Sequence, residues 1–463
     1  MVTVTDTTSP VVEAYRRRRS GLAAPTADRR LSQRILRSKW TWLGLGLVIT
    51  FIVSWWLFFR YIQQDTPMPD GTSVPGLNAD ALWLSAGKAA PTMFFWVACF
   101  VLIDRFRPQR LLAWFLALGW GACLAVIGSY FINTWAGEQM AVVDQVPGLA
   151  SARVAIFVAP FVEESMKACV VFLIATADRL RFTSRVSGAV IGGLAGAGFA
   201  FTENIIYYAR VLVYGSYSAG TGDVMAALDY LVYLRGVVTC FGHPLFTMMT
   251  GLGVAFAVTS RSKVVRVVAP AAGYLLAALL HMVFNMFASV LDEQTMMRVA
   301  FIGVWPAVVM IFFSLIVSLM RQGRTVAARL GDYVTMGWLP PEYPEAFQRL
   351  RTRLWTIIIS CWHGNVVKTW QLQVRSTRLA LLREAITRGT VDQAGWYVER
   401  EMLDQIAELA SSGGLVDGRG LRPYWPWKNW RSRRAARSAG GSNSLVNPSL
   451  SYSVVDLRWG PPA

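Results

Sequence analysis

Charge is scarce in this 463-residue chain: Asp, Glu, Lys and Arg together make up 16%, well below the quarter or so usual in soluble domains. That balance excludes an ordinary soluble enzyme and argues equally against a disordered polyelectrolyte. Cysteine is sparse too. Cys99, Cys123, Cys169, Cys240 and Cys361 show neither paired nor metal-type spacing, and four of them fall in apolar runs, which excludes a disulfide framework. Behind Arg16 to Arg19 no short apolar segment ends in a small-residue cleavage site, so no signal peptide is expected. No HExxH occurs to set two histidines on one helical turn, and no internal repeat is visible.

What is abundant is grease: 54% of residues are hydrophobic and 19 are Trp. Apolar runs long enough to cross a hydrocarbon core of about 30 Å occur eight times, near 41–60, 82–103, 111–133, 154–177, 187–213, 235–258, 267–290 and 299–320. The expected fold class is therefore all-α, a polytopic membrane bundle of about eight helices. Alternate linkers are basic, as in "DRFRPQR" at 104–110, "DRLRFTSR" at 178–185 and "SRSKVVR" at 260–266, while those between are neutral or acidic. Lys and Arg near span ends stay in the cytoplasm, so both termini are expected inside a multi-pass plasma-membrane protein. The net charge of +17 lies mainly in these linkers and the termini, which points to anionic lipid and away from nucleic acid.

The expected organisation is a basic cytosolic arm at 1–39, a membrane domain at 40–325, a cytosolic helical region at 326–411 and a disordered tail at 412–463. The tail mixes Arg and Trp in "RPYWPWKNWRSRR", a pattern suited to an inner leaflet. Within the cytosolic region, helices are expected near 343–358, 366–388 and 392–411.

Ionisable side chains in hydrocarbon are costly and usually mark a site, a relay or a structural pair. Here they concentrate in four consecutive spans: Glu163, Glu164 and Lys167 in the fourth, Glu203 and Asn204 in the fifth, His243 in the sixth, His281 and Asn285 in the seventh. Counted from the outer end of each expected span, Glu163, Glu203, His243 and His281 share one layer about 12 to 15 Å down. Adjacent glutamates stand about 100° apart on a helix, so one can face a cavity while the other pairs with Lys167. Gly188, Gly192 and Gly196 recur every fourth residue, which lets a second backbone approach closely. Pro160 frees a carbonyl one turn above Glu163, and the 214–234 loop is placed to gate entry.

These residues resemble the PrsW family of intramembrane proteases: "EESMK" at 163–167, "GLAGAGFAFTEN" at 193–204, His243 before a run ending "TGLG", and "HMVFN" at 281–285. The likeness covers roughly 40–325. A more distant relation is to CAAX prenyl proteases and the bacteriocin-processing group, but Lys167 replaces their arginine pattern and Glu203 stands where they have histidine. The resemblance implies a membrane-embedded endopeptidase acting on a membrane-anchored protein, in some relatives an anti-sigma factor.

Peptide hydrolysis needs an activated water, a polarised carbonyl and a proton for the leaving amine. Glu163 or Glu164 is the expected base, with Lys167 keeping one of them charged and Asn285 donating to the developing oxyanion. His243 and His281 either hold the water and the carbonyl directly or, with Glu203, bind a divalent metal such as zinc. Asn204 supports the layer. On the residues alone, a proton- or ion-coupled transporter using the same layer and a catalytically silent scaffold stay open, and the oligomeric state is not legible.

Overall fold

The computed structural model describes residues 39–67, 71–106, 111–143, 149–177, 184–218, 223–260, 262–387, 394–419 and 421. The basic arm, apart from its last residue, and the tail from 422 onward lie outside these, so the expectations made for them stand outside the described residues. The chain divides into two compact units, with the boundary in sequence between Ser318 and Leu319.

Among its described residues the first unit is mainly helical, with one pair of short strands in which β1 (Thr66–Pro67) pairs antiparallel with β2 (Ser73–Val74). Its helices are α1 (Lys39–Ile62), α2 (Ala79–Ile103), α3 (Leu111–Trp120), α4 (Val126–Val143), α5 (Leu149–Arg153), α6 (Ala159–Ala177), α7 (Arg185–Ser218), α8 (Val224–Tyr233), α9 (Gly242–Thr259), α10 (Lys263–Val290), α11 (Glu293–Arg298) and α12 (Trp305–Thr335). Short polar residues start them where the chain leaves a linker: Asn78 accepts from the Ala81 amide, Asp223 from the Met225 amide and Ser262 from the Val265 amide.

Among the described residues, seven helical stretches are long and apolar enough to cross a membrane. The fourth expected span, 154–177, is also helical, running from α5 through a wide turn into α6, but Glu163, Glu164 and Lys167 set it apart from the other seven. Several spans outrun the expected limits; the sixth begins at Val224, and within the stretch expected as a loop at 214–234 the described residues include the end of α7 and all of α8.

Small residues decide which helix is central. In α7, 83% of the membrane-crossing window is buried, against 33% or less in the other six. A Cβ added at Gly188 would stand 2.1 Å from the Gly251 carbonyl oxygen, at Gly192 2.4 Å from that of Thr247, and at Gly196 2.2 Å from that of His243. The glycine row is thus the seam on which α7 and α9 pack backbone to backbone. Around it Phe100, Val190, Ile191, Leu194, Met248 and Val254 form the core, while Trp83, Phe94, Val267 and Ile302 point outward, as lipid-facing side chains do.

Four π-helical turns widen the spans, at Gly121–Ala125, Val154–Val158, Leu234–Val238 and Val299–Val304. A wide turn leaves carbonyls that the helix does not use, and in the first three a neighbouring helix takes them. Ala122 O accepts from Trp55 Nε1 at 2.9 Å and Thr202 Oγ1 at 2.6 Å; Gly236 O accepts from Thr92 Oγ1 at 2.9 Å; Val238 O accepts from Trp305 Nε1 at 2.9 Å.

The second unit holds the end of α12 from Leu319, then α13 (Tyr343–Gln348), α14 (Leu350–Trp362), α15 (Val366–Thr387) and α16 (Ala394–Ser411), close to the helices expected there. Leu330, Phe347, Ile359, Leu372, Leu379 and Ile406 are fully buried in it. Arg329 reaches Glu384 at 2.6 Å, and Tyr333 donates to Glu399.

Candidate active site

Four helices bring their polar residues together at one point. On α6, Glu163, Glu164 and Lys167 fall on one side, as their i, i+3 and i, i+4 spacing requires. All three are buried, Lys167 and Glu164 completely. Lys167 Nζ lies 2.6 Å from Glu164 Oε1, 3.8 Å from Glu163 Oε2 and 3.1 Å from His243 Nδ1, and it rests 4.0 Å above the Phe199 ring. An ammonium has three hydrogens, and here each finds an electron-rich neighbour.

The two glutamates differ in what they meet. Glu164 also accepts from Thr247 Oγ1 at 2.9 Å and stands 3.2 Å from His281 Nδ1, so its carboxylate is satisfied within the protein. Glu163 accepts one long hydrogen bond, from Asn133 Nδ2 to Oε1 at 3.4 Å, while its buried Oε2 makes no hydrogen bond and lies 3.8 Å from both Lys167 Nζ and His281 Nε2. Glu163 lines a cavity of about 570 Å³; Glu164 does not. The sequence left open which glutamate faces the cavity and which is held by Lys167, and these contacts separate them.

Proton positions on the imidazoles follow from their partners. A carboxylate accepts, so His281 carries its hydrogen on Nδ1, toward Glu164, and presents the lone pair of Nε2 toward Glu163. His243 Nε2 lies 2.8 Å from Glu203 Oε2 and carries the hydrogen there, which leaves Nδ1 to accept from Lys167. The two rings meet edge to face with centroids 4.9 Å apart, and Phe246 stacks on His281 at 5.0 Å. Each histidine is thus fixed in ring orientation and tautomer by its own glutamate, the arrangement that prepares imidazole to ligate a metal.

Glu163, His243 and His281 each offer one ligand atom, all within 4.8 Å of one another. This trio differs from the expected set of His243, His281 and Glu203: Glu203 lines the same cavity but is engaged by His243 Nε2 at 2.8 Å and by Arg235 in an ion pair at 2.5 Å. Asn204 accepts from Arg235 Nε at 2.7 Å. Asn285 also lines the cavity, but its amide donates to Ala155 O at 2.7 Å, the carbonyl of the wide turn ahead of Pro160. The expected proline effect and the expected asparagine therefore meet in one hydrogen bond.

Arg235, Thr247 and Asn133 join the site without having been singled out in the sequence. Arg235 stood at the outer edge of the expected sixth span; in the structure the helix begins earlier and Arg235 lies well inside it. That span is broken at 239–241, between the wide turn at Leu234–Val238 and α9, and Pro244 falls in the first turn of α9, where its missing amide hydrogen is not needed. Non-helical backbone at membrane depth is tolerated where it is buried in protein or lines a cavity, and here it borders one. From the trio the cavity runs past Ser129, Asn133, Tyr207 and Arg210 to Gly137, Ser151 and Ser289. These last three lie toward the helix ends that the linker charges assign to the outside.

A family model described as PrsW family intramembrane metalloprotease matches residues 107–317, from the residues just before α3 to the middle of α12. The match is narrower than the 40–325 expected. No curated protein and no solved structure matches the chain.

Proposed function

We propose that this chain, whose residues 107–317 match the PrsW family of intramembrane metalloproteases, cleaves a membrane-anchored protein at the Glu163, His243 and His281 trio. The observation that carries this reading is the convergence of three metal-ligand side chains from three helices at the inner end of a cavity.

The donor set suits a divalent ion such as zinc: one carboxylate and two imidazoles, with Glu163 Oε2 buried and without a hydrogen bond. A metal held by Glu163, His243 and His281 supplies Lewis acidity toward water and the scissile carbonyl. Glu164 and Glu203 would keep the two imidazoles oriented for a metal, with Lys167 held by Glu164 at 2.6 Å. Glu163 has a second oxygen with which to take the proton of the attacking water and return it to the leaving amine. Asn285 retains one amide hydrogen beyond the one given to Ala155, available to the developing oxyanion.

The cavity extends toward the outer helix ends, so the substrate enters as a single-pass helix with its outer juxtamembrane segment unwound into the space between α4, α7 and α10. An anti-sigma factor type of substrate and a plasma-membrane location with cytoplasmic termini fit this reading. The test is to purify wild type and Glu163→Gln in lipid, measure bound metal, and compare the fragments each releases from native membranes. Wild type is expected to release fragments that the variant does not; identical fragments refute the proposal.

A further inference from the structure

We propose that Arg235 is a positioning residue of this site, acting through Glu203 on His243; the inference rests on the proteolytic reading above. Glu203 Oε2 receives two donors at once, Arg235 Nη2 at 2.5 Å and His243 Nε2 at 2.8 Å. Arg235 lies on the wide turn before the break in the sixth span and His243 lies in the first turn after it. One carboxylate of α7 therefore bridges the two halves of a broken membrane helix.

The guanidinium is held on several sides. Its Nε donates to Asn204 at 2.7 Å, its plane lies 4.0 Å over the Tyr207 ring, and the turn that carries it is anchored by Thr92 and Trp305 at the Gly236 and Val238 carbonyls. A planar fork with fixed donors dictates where the opposing carboxylate lies, in a way that a flexible ammonium does not. Arg235 thereby fixes the rotamer of Glu203. Glu203 in turn keeps the hydrogen of His243 on Nε2, which leaves the lone pair on Nδ1. Without the guanidinium, Glu203 is free to turn into the adjoining cavity, and His243 loses the partner that selects its tautomer.

The experiment uses the full chain in lipid nanodiscs with a single-pass substrate, comparing wild type, Arg235→Gln, Arg235→Lys, Asn204→Ala and Glu163→Gln. Zinc affinity is read by chelator competition, alongside kcat, KM and thermal unfolding. Arg235→Gln is expected to weaken zinc binding and lower kcat by about 10- to 100-fold with KM within about twofold, the scale found when partners of metal-ligating histidines are removed. Arg235→Lys is expected to recover part of both, since an ammonium can hold Glu203 but not Asn204 as well. If Arg235→Gln does not insert, Arg235→Lys and Asn204→Ala carry the test, each with a smaller loss in kcat and zinc affinity together. Unchanged kcat and zinc affinity overturn the proposal, as does a loss confined to KM, which would make Arg235 a substrate contact. Normal cleavage by Glu163→Gln overturns the underlying site assignment, and an inactive Glu163→Gln beside a fully active Arg235→Gln overturns this inference alone.

Discussion

Gly196→Ala perturbs the seam between α7 and α9 at the level of the site. The new methyl carbon would stand 2.2 Å from the carbonyl oxygen of His243, 2.6 Å from its carbonyl carbon and 2.8 Å from Pro244 Cα, where ordinary contact begins at 3.4 Å. All three atoms are backbone, so no side chain can rotate away and the helices must part by about 1 Å, at a cost of about 1–3 kcal/mol. The shift is applied to the residue whose ring nitrogens lie 2.8 Å from Glu203 and 3.1 Å from Lys167. A misplacement of about 1 Å in a catalytic group costs on the order of 100-fold in rate. The assay is cleavage of a single-pass substrate by purified protein in nanodiscs, with thermal unfolding followed in parallel. Gly87→Ala, where an added Cβ meets nothing within 4 Å, is the control and is expected to behave as wild type. A folded Gly196→Ala protein that cleaves within about twofold of wild type refutes the idea that this seam sets the geometry of the site.

Other substitutions separate the roles of neighbouring residues. Glu163→Gln should reduce cleavage by about 10²- to 10⁴-fold with little change in unfolding temperature, because Glu163 has few partners to lose. Glu164→Gln should instead destabilise the protein by about 3–5 kcal/mol, since it breaks a fully buried ion pair with Lys167; equal unfolding temperatures for these two variants would contradict the division between them. Dialysis against a strong chelator should abolish cleavage and readdition of zinc restore it, whereas full activity after verified metal removal rules out the metal reading. Asn285→Ala strips the Ala155 carbonyl of its donor and should lower stability by about 1–3 kcal/mol, visible as a reduced melting temperature.

The membrane bundle was legible because hydrocarbon imposes a simple rule of length and composition, and because ionisable residues are rare enough there to stand out. Glu163, Glu203, His243 and His281 share a layer in the sequence count, and in the structure these four residues form one connected cluster. The glycine spacing likewise foretold the α7 and α9 seam. What the sequence hid were features that depend on which way a side chain turns. Glu203 and Glu163 are chemically the same and line the same cavity, and they differ in their partners: Glu203 is taken up by Arg235 and His243, while Oε2 of Glu163 makes no hydrogen bond. Arg235 escaped notice because hydropathy blurs the end of a span: an arginine at a boundary snorkels, while an arginine well inside a span that begins at Val224 must find a partner. Wide turns leave no compositional trace, so the break at 239–241 had only Pro244 to announce it.

A wide turn accommodates one more residue than an ordinary helical turn, and each further residue advances a helix by about 100°. The turn at Val154–Val158 therefore acts as a one-residue insertion whose effect on register is absorbed locally. Deleting a single residue there would close the wide turn into ordinary helix with both flanking segments still in register, and Asn285 would find no free carbonyl to bind. Such a helix carries a spare acceptor as well as a length, and the acceptor is written in one extra residue.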